Sequence, residues 1–113
     1  MPVSGDAFLR FADWLQEQDS CKSEIKSRSL ANRAYYGAFH ITKDFLAMDE
    51  RADHRDVIDQ LKIRSEYLGD RLYDFFEKRK EADYRLHYQF KPGRAVNMVS
   101  EIKDFLKDLK TEI

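Results

Sequence analysis

Apolar residues recur at helical spacing along almost the whole chain, and no segment alternates with period two for long enough to build a sheet. Ser4 precedes a first helix over about 6–19, with Phe8, Phe11 and Leu15 on one stripe and Trp14 beside it. Asp19-Ser20-Cys21 reads as a connector. A longer helix follows from about Ser23 to Met48, its main stripe being Leu30, Ala34, Ala38, Ile41 and Phe45, with Gly37 on the flank. Asp53, with Asp56 three residues on, has the form of a capping box and opens a short helix carrying Val57, Ile58 and Leu61. Ser65 caps a fourth helix with Leu68, Leu72, Phe75 and Phe76 on its core face. The pattern lapses over residues 82–92. Pro92 and Gly93 then open a last helix, on which Ala95, Met98, Val99, Ile102, Phe105, Leu106 and Leu109 keep heptad-like spacing. Only 4 Gly and 2 Pro occur in 113 residues, too few turn formers for a many-stranded sandwich. The expectation is one all-α domain over residues 1–113, an antiparallel up-and-down bundle of four to five helices.

The 20 basic and 21 acidic residues leave a net charge of −1, so any polyanion site must be a local patch. The single cysteine, Cys21, rules out a disulfide framework or a cysteine zinc cluster within the chain. No apolar run is long enough to span a bilayer, and the opening MPVSGDAFLRFADW lacks the form of a secretory signal. A cytoplasmic protein without membrane association is therefore expected. There is no phosphate-cradling glycine loop, no H-E-x-x-H and no nucleophile elbow. His54, between Asp53 and Asp56, suits helix capping better than metal binding, so neither a metal nor a cofactor is expected.

The second helix carries more apolar surface than one packing stripe needs. Tyr35, Phe39 and Leu46 cluster roughly 100–140° around the axis from that stripe, and Tyr36 lies behind it. Such a helix is either central in a bundle or shared with a partner. The bundle is small, so a homodimer contact through Tyr35, Tyr36 and Phe39 is the favoured expectation. It would bury on the order of 1,200–2,000 Å² and bring two Arg79 regions to one cleft. Enclosure by the other helices is the alternative.

Arg79 follows Leu72 by seven residues and Phe76 by three, which places it on the buried stripe of the fourth helix. An unpaired guanidinium there would cost several kcal/mol, roughly, so Asp83 one turn on is expected to pair with it, largely shielded from water. One reading is a structural ion pair closing the helix. The other is a phosphate or nucleotide site, with Arg79 for bidentate oxygen contacts and Tyr84, Arg85, His87 and Tyr88 around it. From Lys78 to Arg94 the bases outnumber the acids and alternate with Tyr84, His87, Tyr88 and Phe90, a composition suited to single-stranded nucleic acid. Arg33 and His40, seven apart on one helix face, either converge on a ligand or pack on a neighbouring helix.

Two segments together resemble one family. Arg33-Ala-Tyr-Tyr-Gly-Ala-Phe-His40 is similar to the R-A-Y-Y-A-x-F-H stretch of HEPN (higher eukaryote and prokaryote nucleotide-binding) domains, and Arg79-Lys-Glu-Ala-Asp-Tyr84 to their R-x-x-A-D-Y stretch. The resemblance covers nearly the whole chain. It implies a helical bundle, commonly homodimeric, that binds a nucleotide or RNA and works with a small nucleotidyltransferase in a toxin–antitoxin-like pair. Many members are metal-independent ribonucleases, in which an Arg and a following His face each other across a dimer. Arg79 matches that Arg; Tyr84 occupies the nearest His position, and His87 comes three residues later. If the chain is such an enzyme, Arg79 would stabilise the pentacoordinate phosphate and His87 or Tyr84 would move a proton. The remaining alternative is a structural or adaptor module without catalysis.

Overall fold

A computed structural model describes residues 5–17, 24–84 and 92–112. It is an all-α bundle of α1 (Gly5–Glu17), α2 (Glu24–Phe45), α3 (His54–Arg64), α4 (Glu66–Tyr84) and α5 (Pro92–Glu112). No strand occurs among the described residues. Side-chain register fixes the directions. Gly5 faces Gly37 and Ile41 while Phe11 lies under Arg33, so α1 and α2 are antiparallel. Arg28 meets Glu81 and Ala82, and Tyr35 meets Phe76, so α2 and α4 are antiparallel as well. Between α4 and α5 the matching contacts are Phe75 on Phe105, Lys78 with Glu101, and Glu81 with Arg94.

The helix boundaries have local causes. Asp53 accepts from the backbone N–H of Asp56 at 2.9 Å and the Asp56 carboxylate answers at 3.2 Å, the expected capping box at the start of α3. Ser65 Oγ accepts from the N–H of Leu68 and caps α4. At the other end of α2 the N–H of Met48 reaches the Lys43 carbonyl and that of Ala47 reaches Asp44, a Schellman closure with Ala47 at φ 53°.

The core follows the apolar stripes of α4 and α5 closely: Leu68, Leu72, Phe75, Ala95, Met98, Val99, Ile102, Phe105, Leu106 and Leu109 are all buried. Two stripes differ from expectation. On α1 the buried apolar side chains among the described residues are Ala12 and Leu15, while Phe11 and Trp14 are 45% and 55% exposed. The reason is the α1–α2 contact. A Cβ on Gly5 would lie 2.8 Å from the Gly37 carbonyl, so the two backbones touch and the large rings of α1 are turned to the rim. On α2, Ile41 is only partly buried and Phe45 is exposed, whereas Tyr35 and Phe39 are enclosed. α2 is packed between α1, α4 and α5. The surface of Tyr35 and Phe39 that suggested a partner is thus covered within one chain, by Phe76 and His54. Tyr36 alone of that trio stays half-exposed.

Candidate functional site

Arg79 continues the buried stripe of α4, and its side chain is 7% exposed. Its Nη1 donates to Asp83 Oδ2 at 3.3 Å, the pairing that the spacing predicts, since α4 persists to Tyr84. Asp83 also accepts from Asn32 Nδ2 at 2.9 Å. The Arg79 contact is long for a charge-assisted bond, and Nε has no hydrogen-bond partner among the described residues. Rings supply most of the remaining surroundings. The guanidinium carbon lies 5.4 Å from the Tyr35 ring centre, 5.6 Å from Tyr36, 5.2 Å from Phe76 and 5.9 Å from Tyr84. A cation against aromatic faces at such distances is attracted by the ring quadrupoles, the more so when desolvated.

Beneath those rings lies His54. Its imidazole stacks on Phe76 at 5.2 Å, sits 5.5 Å from Tyr35 and 5.8 Å from Tyr36, and so shares three rings with Arg79. Nδ1 of His54 is 2.7 Å from the Tyr35 hydroxyl. Burial drives the Tyr35 pKa far above its ordinary value, against the opposing charge of Arg79, so the hydroxyl keeps its proton. Burial, reinforced by Arg79 and opposed by Asp53, lowers the His54 pKa. The ring is therefore neutral near pH 7, and its tautomer sets which of the two groups donates in the bond to Tyr35. His40, stacked between Phe8 and Tyr36, is lowered in the same sense by burial and Lys43, with Asp44 opposing.

The structure thus brings Arg79, Asp83 and Tyr84 together, and leaves Tyr84 70% exposed beside the guanidinium. Arg85, His87 and Tyr88 lie outside the described residues. Arg33 and His40 both pack on the neighbouring helix α1, Arg33 over Phe8 and Phe11 and His40 against Phe8. Four contributors were missed in the sequence: Asn32, Phe76 as a shared ring, His54, and Arg28, whose Nη1 donates to the carbonyls of Glu81 and Ala82. Arg28 had a legible signal of the same kind as Arg79, since it precedes Ala31 by three and Tyr35 by seven on a buried face. His54 had none, because its capping-box setting accounted for it fully.

Chemically, the cluster offers a preformed cation beside an exposed aromatic ring and two imidazoles held neutral. No group of three or more metal-ligating side chains occurs among the described residues, and no described helix is long and apolar enough to cross a membrane. No family model, curated protein or solved structure matches the chain.

Proposed function

We propose that the chain is a HEPN-type domain that binds a nucleotide or single-stranded RNA at the end of α4, working beside a small nucleotidyltransferase. The observation that carries this reading is the Arg79 guanidinium: almost withdrawn from water, held among the described residues by one long bond to Asp83 with Nε unpartnered, and with the exposed Tyr84 ring beside it. A guanidinium needed only to close a helix would be expected to saturate its donors. One left with an unsatisfied Nε–H next to an open ring suits a phosphate with a base attached. Arg79→Leu is the test, because it keeps the apolar contacts and removes the charge. Near-native stability with lost binding of labelled single-stranded RNA supports the reading, and retained binding sinks it.

A second reading, metal-independent RNA cleavage, is favoured by the neutral His54 imidazole against the same three rings as Arg79. A neutral imidazole can accept a proton, the task of a general base. Incubation with labelled RNA in EDTA separates the readings: cleavage that falls roughly 10²–10⁴-fold in His54→Ala or His87→Ala identifies the base, and intact RNA leaves binding alone.

A further inference from the structure

Beyond Arg79, partly exposed side chains of α4, α2 and α1 form a ribbon in which rings and cations alternate. It starts at Tyr84 and at Lys80, whose Nζ stands 4.6 Å from the Phe76 ring centre, and passes Arg79 against Tyr36. On α2, Arg33, Tyr36 and His40 stand at i, i+3 and i+7, one stripe about 10 Å long at the rise of a helix. His40 stacks on Phe8 at 5.5 Å. Arg33 lies 6.0 Å from the Phe8 ring centre and 5.6 Å from Phe11, and meets no carboxylate among the described residues. Phe11 leans on Trp14 at 5.7 Å.

A separate observation lies at the far end of this ribbon. Ala7, Phe8, Phe11 and Arg33 line an open cavity of about 280 Å³. That is below the ~300–1,000 Å³ of sites for drug-sized ligands, and suits one planar ring better than a whole nucleotide. Among the described residues the nearby acids are occupied or peripheral. Asp83 holds Arg79, Glu77 holds Lys80, Asp6 holds Arg10, and Asp44 lies a turn beyond His40, where the stripe ends.

We propose that this ribbon is the track of single-stranded RNA, with one phosphate at Arg79 and a base further along the strand stacked in the Phe8–Phe11–Arg33 cavity. The inference rests on the phosphate reading of Arg79 and adds a second subsite to it. Rings separated by cations repeat the alternation of base and phosphate along a strand. Stacking of this kind tolerates any sequence, because every base has a flat face. Strand length, not base identity, then sets affinity.

Trp14 is the only tryptophan of the chain and stands next to the cavity, so its fluorescence reports occupancy there. The full chain is titrated with uridine monophosphate and with di-, tetra- and octa-uridylate. Affinity is expected to rise with length, with a Trp14 emission change for the longer strands only. Arg33→Ala and Phe11→Ala should each weaken octa-uridylate about tenfold and leave the monophosphate unaffected, while Arg79→Leu weakens every probe. Phe11→Leu, which keeps apolar bulk but lacks a stacking face, serves if Phe11→Ala loosens α1. An octanucleotide that binds no tighter than the monophosphate, or equally well to both α1–α2 variants, overturns the track while the Arg79 site stands. Binding lost in Arg33→Ala but kept in Arg79→Leu overturns the anchor, and no binding of any probe overturns both.

Discussion

A guanidinium among aromatic rings is stable only while its counter-charge stays in place, and Arg79 has one such partner among the described residues. The two ends of the pair are unequal. Asp83 retains Asn32 and partial exposure if Arg79 is replaced, whereas Arg79 would be left buried and uncompensated if Asp83 were removed. Asp83→Ala is therefore expected to cost about 3 kcal/mol in urea denaturation, and Arg79→Leu within about 1 kcal/mol. Equal costs would contradict this account. His54 supplies a second prediction at this scale. Its folded pKa lies below the ordinary 6.5, so the unfolded chain binds the proton more readily. Stability is then full above about pH 6.5 and declines as pH falls from there toward the folded value. His54→Gln should flatten that slope in a series of melts across pH 5–7, roughly, with the remaining slope reflecting His40, which is lowered in the same direction. A variant with an unchanged slope would show that the linkage lies elsewhere.

Elements were the most legible level, because each carries its own signals. The Asp53–Asp56 box, Ser65 and the heptad of α5 place three boundaries within a residue or two, since capping and periodicity are local. What the sequence does not announce is how helices are rotated against each other. Gly5 and Gly37 decide the seating of α1 through a backbone contact, which no hydrophobic pattern encodes, and Phe11 and Trp14 are displaced to the surface as a result. The site was legible only as far as one helix carries it: Arg79, Asp83 and Tyr84 are neighbours in sequence, while Asn32, Tyr35 and His54 arrive from α2 and α3. The end of α2 offers a direct test. Ala47 holds the left-handed conformation in which a Cβ is unfavourable, so Ala47→Gly should stabilise the chain by about 1 kcal/mol. A thermal melt lower than that of the parent would show that the loop, and not the helix closure, sets this angle.

For the molecule as a whole, a Cα radius of gyration of 13.8 Å is close to the ~13 Å expected of a globule of this length. α2 occupies the middle of it, which changes the meaning of its aromatic side chains. Phe39→Ala should cost about 3–5 kcal/mol through the cavity it leaves, by the same amount at every protein concentration. A cost that grows with dilution would instead mark Phe39 as part of an interface. The Arg28 contact bears on the electrostatics of the entire assembly. A helix carries a partial negative charge at its C-terminus, the wrong sign to receive a phosphate, and α4 presents that end beside Arg79. The Arg28 guanidinium covers the carbonyls of Glu81 and Ala82 from the first turns of α2. It turns the negative pole of one helix into a neutral floor, so that an anion approaching Arg79 meets a field set by side chains and not by the backbone beneath them.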